Sequence, residues 1–205
     1  MTGPAMTGPA KHVLLVYVHP VPDSYTAHLR DLATAALERC GHTVDVCDLY
    51  GEGFDPVLSL DERLNHHAPP ETKPHVAAYA DRLRRADSLV FVYPTWWSGP
   101  PAMLKGWWDR VWVEGVAYTL PDGSNRVRGA LRNIRTIAVV TTHGSSKLVN
   151  VVEGESGRRQ IGRTLRVLCH RFTRVRWIAL YGIDGAEPAD LVQFDARVSA
   201  AMSKL

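Results

Sequence analysis

Five short apolar runs alternate along the chain with longer segments of helical spacing, and this alternation restricts the fold more than any other feature. The runs, rich in β-branched residues, cover residues 12–18, 43–48, 88–93, 134–142 and 175–181. Apolar residues recur every three or four positions and predict helices over residues 24–40, 73–86, 99–113, 157–171 and 187–203. Strands that alternate with helices form an α/β fold with helices on both faces of a parallel sheet. We therefore predict a doubly wound five-stranded sheet with strand order 2-1-3-4-5.

Length and composition favour one domain preceded by a short tail. The chain has 205 residues and is 45% hydrophobic, which is enough to bury one sizeable core without a second domain. The first ten residues repeat Met-Thr-Gly-Pro-Ala and carry no helical or strand pattern. We predict a disordered tail over residues 1–11 and a single domain over residues 12–205.

Charge, cysteine content and histidine spacing argue against several classes of protein. Lys and Arg exceed Asp and Glu by only three, and scattered arginines are typical of solvated helix faces, so no nucleic-acid partner is expected. The three cysteines lie far apart without a Cys-x-x-Cys motif and predict reduced thiols in the cytoplasm. No apolar run approaches the roughly 18 residues of a membrane helix, and no signal peptide is visible. His66, His67 and His75 lack the partners of a metal site.

Three loops should meet at the carboxyl edge of the predicted sheet, where open α/β sheets bind their ligands. They cover residues 19–25, 94–99 and 141–146. In the first loop, His19-Pro20 ends a strand, and Ser24 stands where the N-cap of the next helix is expected. Such a helix N-terminus binds phosphate through its free amides and its dipole, but a plain cap explains the same residues equally well. The loop has neither the Gly-rich dinucleotide motif nor a P-loop motif.

The second loop is dominated by a pair of tryptophans. Its sequence over residues 94–99 is PTWWSG, which combines backbone amides, hydroxyls and two indoles. Strand alternation would send Trp96 and Trp97 to opposite faces, so at least one indole should line the opening. We favour ligand contact for Trp97, and the flat surface it would provide indicates a planar aromatic ligand.

An aromatic stripe continues on the helix that follows. Trp107, Trp108 and Trp112 lie at helical spacing, which is more often found in a core or an interface than in a cofactor site. We predict that this stripe forms a dimer surface.

The third loop presents two threonines, a histidine and a glycine after a strongly apolar strand. These are Thr141, Thr142, His143 and Gly144. The imidazole of His143 is a candidate proton donor, a candidate hydrogen-bond partner of a ring carbonyl, or an ordinary surface histidine.

Further fragments join those of the three loops. The fragments, in chain order, are His19-Pro20 with Ser24, Asp48-Leu-Tyr50, Phe54-Asp-Pro56, Pro94-x-x-Trp97-x-Gly-x-Pro101-Ala, Leu104-Lys-Gly106-x-x-Asp-Arg-Val111, Gly115-x-Ala-Tyr118 and Thr141-Thr142-x-Gly144. Over residues 12 to 185, their combination resembles the NAD(P)H:quinone oxidoreductase family of flavodoxin-like flavoproteins, which includes modulator-of-drug-activity proteins and the ancillary flavoproteins of potassium efflux.

The resemblance implies a role for each matching position. The flavin phosphate and ribityl chain would contact His19, Ser24, Tyr25 and Thr26. The edge of the isoalloxazine would contact Pro94, Thr95, Trp96 and Trp97. The pyrimidine side of the isoalloxazine would form hydrogen bonds with Thr141, Thr142 and Gly144. Tyr118 would reach the pocket of a partner subunit. The family's Tyr and His that assist hydride transfer are missing from residues 147–155, which leaves His143 and Tyr118 as the candidate catalytic residues.

The resemblance further implies a homodimer that reduces quinones or similar flat acceptors by two electrons with NAD(P)H, in ping-pong order, through a tightly bound FAD or FMN. The length of the connection 51–75 leaves room for an adenine and favours FAD. Two alternatives remain open: a regulatory flavoprotein subunit of a transporter, and an FMN-dependent azo- or nitroreductase.

Overall fold

Five parallel strands form the central sheet of the computed structural model, which describes residues 9–68, 74–121 and 126–205. The strands of the chain are β1 (His12–Tyr17), β2 (Thr43–Asp48), β3 (Ser88–Pro94), β4 (Tyr118–Thr119), β5 (Arg128–Gly129), β6 (Thr136–His143) and β7 (Arg174–Tyr181). The sheet has the order β2-β1-β3-β6-β7, whereas β4 and β5 form a separate antiparallel hairpin. The predicted fold class and the strand order 2-1-3-4-5 are therefore confirmed.

Helices pack on both faces of this sheet. They are α1 (Tyr25–Arg39), α2 (Leu60–Leu64), α3 (Pro74–Arg85), α4 (Ala102–Val111), α5 (Lys147–Val152), α6 (Ser156–Arg159) and α7 (Pro188–Met202). A π-helix (Gln160–Leu165) and a 3₁₀ turn (Arg166–Leu168) continue directly from α6. No described helix is long and apolar enough to cross a membrane.

The strands alternate their side chains between two apolar cores. Leu14 and Phe91 point to the face covered by α3, α4 and the π-helix. Leu15 and Val90 point to the other face, which α1 and α7 cover. Because β3 and β6 lie in the middle of the sheet with both faces covered, every residue of these two strands is buried.

The tryptophan stripe belongs to the first of these cores, so its prediction as a dimer surface is wrong. Trp107, Trp108 and Trp112 are all buried within the chain. Trp108 packs edge-on against Phe91 of β3, with ring centroids 5.7 Å apart. The outer side of α4 is also covered, because a Cβ on Gly106 would lie only 2.2 Å from the carbonyl oxygen of Pro56. The connection after β2 therefore closes over the helix.

Two further predictions need correction or qualification. The helix predicted over 157–171 is divided into α6, the π-helix and the 3₁₀ turn, although Ile161 and Leu165 still face the core. Residues 1–8 of the predicted tail lie outside the described residues. At its other end, the Nζ of Lys11 donates a hydrogen bond to the carbonyl of Leu205.

Candidate active site

The three predicted loops lie side by side at the carboxyl edge of the sheet. Pro94 pairs with Thr142 at the ends of β3 and β6, and the amide of Thr95 donates to the Thr142 carbonyl at 2.7 Å. The first loop adjoins them, since the rings of His19 and Trp96 lie 6.1 Å apart. The parallel register thus brings all three loops to one edge, as the sequence predicts.

A cleft of about 710 Å³ opens between the second and third loops. One wall is residues 94–98, and the other is residues 142–145 with Asn150 and Glu153; Ile183 and Asp184 close the end. Its volume lies within the range of small-molecule and cofactor sites. Seven of the predicted flavin-binding residues line it: Pro94, Thr95, Trp96, Trp97, Thr142, His143 and Gly144.

Both indoles of the second loop are exposed to the cleft, but not for the reason the sequence gives. Trp96 and Trp97 follow the end of β3, in a turn closed by reciprocal hydrogen bonds between Trp96 and Gly99 at 3.0 and 3.1 Å. Strand alternation therefore does not apply to them. Trp97 is fully exposed, at 102%, and its φ of 48° lies in the left-handed region that side chains rarely adopt. Ser98 follows with a φ of 58°. Such strain is characteristic of functional loops.

The first loop contributes a capped helix rather than cleft-lining side chains. The Oγ of Ser24 accepts from the amide of Ala27 at 3.2 Å, which confirms the predicted N-cap of α1. Thr26 is buried behind it. The phenol of Tyr25 turns away to α7 and donates to Asp195 Oδ1 at 2.8 Å. Burial and that carboxylate raise the pKa of Tyr25. Residues 25 and 26 could therefore contact a phosphate through their backbone amides but not through their side chains.

His143 is held as a neutral imidazole. Its Nδ1 lies 2.6 Å from Oδ1 of Asn150, and the amide of Asn150 donates to the carbonyls of Ser145 and Ser146 at 3.2 and 2.9 Å. These contacts orient the amide so that Nδ1 of His143 carries the proton. Burial lowers the pKa of His143. Its Nε2 then carries a lone pair, so at neutral pH His143 is a proton acceptor rather than the candidate donor of the sequence prediction.

A chain of threonine hydroxyls faces that lone pair. Thr95 Oγ1 lies 3.4 Å from Nε2 of His143 and 3.0 Å from Oγ1 of Thr141. Thr141 is fully buried beneath the cleft, whereas Thr142 lines it. The threonines of the second and third loops thus fix the position of the imidazole from one side while Asn150 fixes it from the other.

Tyr118 lies apart from this cleft within its own chain. It is half-buried in β4, and its hydroxyl lies 3.0 Å from Nε2 of His66. Burial raises its pKa. The prediction that Tyr118 reaches the pocket of a partner subunit stays a prediction.

The sequence reasoning missed several residues that complete the site. Tyr181 stacks on His143 and donates to Glu155 Oε1 at 2.7 Å. Burial alone would raise the pKa of Glu155, but hydrogen bonds from Tyr181 and Arg158 lower it. Across the cleft, Ser98 donates to the carboxylate of Glu153. Two signals were available: Tyr181 ends a strand at the carboxyl edge, and Asn150 is the polar residue within an apolar run.

The donor set of the cleft fits a flat ring system with polar edges. Two exposed indoles stand on one side, and hydroxyls, the imidazole and an amide stand on the other. Gly144 has no side chain, so a ligand can approach its backbone closely. A Cβ at this position would lie 2.6 Å from the carboxylate of Asp184. Within residues 9–68, 74–121 and 126–205, no group of three His, Cys, Asp or Glu side chains is placed to hold a metal ion.

Comparison with known proteins agrees with this architecture. The family model for the flavodoxin-like fold matches residues 11–203. NAD(P)H dehydrogenase [quinone] 1 of Cavia porcellus is 30% identical over 69% of this chain and 56% of its own length. Ribosyldihydronicotinamide dehydrogenase [quinone] of Mus musculus is 30% identical over 72% of this chain and 69% of its own. The chain belongs to the flavodoxin-like NAD(P)H:quinone oxidoreductase family.

A solved family structure shares nearly the whole fold. NAD(P)H:quinone oxidoreductase from Methanothermobacter marburgensis superposes with a TM-score of 0.76 at 28% identity, covering 95% of this chain and 98% of that one. The chain matches little more than half the length of the Cavia porcellus relative.

Proposed function

We propose that the chain is a flavin-dependent NAD(P)H:quinone oxidoreductase that reduces quinones or similar flat acceptors by two electrons in ping-pong order. The observation that carries this proposal is the pair of exposed indoles, Trp96 and Trp97, facing a neutral imidazole across a cleft at the carboxyl edge of the sheet. Family membership supports the same reaction class.

The flavin, when bound, supplies the redox chemistry, and the protein supplies binding and orientation. We infer that Ser24 and the backbone amides of residues 25 and 26 bind its phosphate at the N-terminus of α1, with His19 beside them. The second loop would edge the ring and exclude water from one side. Thr142 and Gly144 would bond the pyrimidine side, whereas the fully buried Thr141 would support Thr95 from behind rather than contact the flavin.

His143 is the candidate for handling the proton. Its Nε2 lies 3.4 Å from Oγ1 of Thr95, which lines the cleft, and its Nδ1 is hydrogen-bonded to Oδ1 of Asn150. The neutral Nε2 would accept a proton from solvent and, because burial lowers the pKa of His143, would pass that proton to the acceptor once the hydride has reduced it. Tyr118 from a second copy would close the far side of the cleft, which requires a homodimer.

The identity of the flavin and the location of the protein are inferred from the length of one connection and from the cysteines. We infer FAD rather than FMN from the long connection between β2 and α3, and a cytoplasmic location from the three cysteines, none of which forms a disulfide.

Purification and turnover test the proposal directly. A yellow protein is expected, and denaturation followed by chromatography identifies the released flavin. Oxidation of NADH or NADPH should depend on an added quinone, and light scattering should give the mass of a dimer. A colourless protein that cannot be reconstituted with FAD or FMN would overturn the proposal.

A further inference from the structure

Charge is distributed very unevenly along this chain. Residues 126–181 contain twelve Lys and Arg but only two acidic residues, a net charge of +10. The whole chain carries only +3, so the remaining residues carry −7. Mixed surfaces are the ordinary arrangement in proteins, and a strong single-sign field attracts ligands of the opposite charge. The basic segment therefore indicates an anionic ligand.

Part of this basic segment lines a second cleft, which we call the arginine cleft. It has a volume of about 500 Å³ and lies between the helical segment 156–165 and β7. Its walls are Arg158, Arg159, Gly162, Arg163, Glu155, Val175 and Trp177. β7 is an edge strand of the sheet, so the cleft is open on one side.

Among the residues that the structure describes, two of the three guanidinium groups in the arginine cleft have no counter-charge. Arg158 pairs with Glu155 at 3.0 Å. Within the described ranges, the side chains of Arg159 and Arg163 make neither an ion pair nor a hydrogen bond, although both are exposed in the same cleft. One carboxylate against three guanidinium groups leaves a net positive site.

The backbone that presents these arginines is unusual. Arg163 lies in the π-helix Gln160–Leu165, a conformation that is rare and concentrates at functional sites. Gly162 lies beside it, and a Cβ at that position would meet nothing within 4 Å. The wide turn and the missing side chain leave space in front of the guanidinium groups.

The arginine cleft adjoins the candidate active site. Glu153 lines the first cleft and Glu155 lines the second. Because they are two positions apart in the chain, their Cα atoms are at most about 7.6 Å apart. Tyr181 contacts both walls, stacking on His143 and donating to Glu155. Trp177 lines the arginine cleft with its ring 6.4 Å from that of His143. An elongated ligand with one end in the first cleft can therefore place its other end among the arginines.

We propose that Arg159 and Arg163, with Arg158, bind the 2′-phosphate of NADPH and make the protein prefer NADPH to NADH. The inference rests on the proposed function, because it places the nicotinamide in the first cleft. A phosphomonoester carries about −1.5 to −2 charges at pH 7, which two unpaired guanidinium groups match. Arginine also offers the forked pair of donors that phosphate oxygens accept.

Calorimetric titration with two nucleotides isolates the phosphate from the rest of the reaction. Adenosine 2′,5′-bisphosphate and 5′-AMP differ only in the 2′-phosphate. We expect the purified protein to bind the bisphosphate at least about tenfold more tightly, with a gap that narrows as salt is added. Arg159→Gln and Arg163→Gln should each weaken the bisphosphate about tenfold and leave 5′-AMP unchanged. Arg163→Lys, which keeps the charge, should lose less.

Arg135→Gln is the matched control. Arg135 is exposed in the same basic segment, at the amino end of β6 and outside the arginine cleft. Its loss changes the net charge equally and should leave the gap between the two nucleotides unchanged. Equal affinities for the two nucleotides in the wild type, or equal losses in the control and the cleft variants, would overturn the inference.

The two proposals fail separately. Quinone turnover at equal kcat/KM with NADH and NADPH, together with equal nucleotide affinities, leaves the proposed function in place and overturns the phosphate site. Tight binding of the bisphosphate through these arginines in a protein without quinone turnover supports the phosphate site and overturns the proposed function.

Discussion

The imidazole of His143 stacks on the phenol of Tyr181, with ring centroids 4.5 Å apart and the planes inclined by 22°. Together with the hydrogen bond to Asn150, this contact surrounds the imidazole with groups that carry no charge themselves. Burial lowers the pKa of His143, and its effect outweighs those of Asn150 and of the nearby carboxylates of Glu155 and Glu153, which raise it. The ring is thus kept neutral and fixed in orientation at the same time.

The first prediction concerns stability at acid pH. The unfolded chain protonates His143 near pH 6.5, whereas the folded chain does so only at lower pH. Between these two pKa values the unfolded chain holds more protons, so stability falls as the pH falls through this range. His143→Gln should lose less free energy of unfolding than the wild type between pH 7.5 and pH 5, measured by urea denaturation. The contributions of His42 and His170 are the same in the wild type and the variant, so they cancel in the comparison. Parallel profiles of stability against pH would contradict a lowered pKa for His143.

A second prediction separates the ligand role of Trp97 from packing. The indole is fully exposed, so Trp97→Ala should change the free energy of unfolding by no more than about 0.5 kcal/mol. The same change should weaken flavin retention or acceptor turnover, because the indole lines the cleft. Phe172→Ala is the control, since Phe172 is also exposed but lies outside that cleft. Fluorescence titration with flavin and quinone turnover distinguish the two variants, and equal flavin affinities together with equal turnover would remove Trp97 from the site.

The sheet and its binding edge were predictable because each depends on local pattern. Continuous apolar runs predicted the strands, and apolar residues at three- or four-residue spacing predicted the helices. Because ligands bind at the carboxyl edge of such a sheet, loops 94–99 and 141–146 could then be placed at the cleft. The same pattern cannot record how a helix is wound. Ile161 and Leu165 keep helical spacing and burial, but the backbone between them is a π-helix.

Long-range packing explains the predictions that failed. An apolar stripe looks the same in sequence whether its own chain or another one covers it. Trp108 is buried by β3 on one side of α4, and the connection containing Pro56 crosses the other side at Gly106. The buried pair of Arg110 and Glu62, joined at 2.8 Å, holds that connection in place. None of these contacts is local in sequence.

The third prediction tests whether Ser24 is more than a cap. Loss of the hydrogen bond from Ala27 in Ser24→Ala should cost about 1 kcal/mol of stability. If the N-terminus of α1 also binds the flavin phosphate, flavin affinity should fall in the same variant. Ser59→Ala is the control, because Ser59 caps α2 in the same manner away from the cleft. Destabilisation of both variants with unchanged flavin affinity would leave Ser24 as a cap alone.

The last prediction follows from the burial of Trp112, which is only 6% exposed and packs against Trp107 with centroids 6.4 Å apart. Trp112→Glu removes a large apolar side chain from the core and places a charge there, so it should cost at least about 3 kcal/mol and disrupt folding rather than dissociate a dimer cleanly. Val192→Glu adds the same charge at an exposed apolar position of α7 and should stay folded. Urea denaturation and circular dichroism compare the two variants, and light scattering gives their mass. A folded Trp112→Glu variant with the unfolding midpoint of the wild type would contradict the burial of this indole within its own chain.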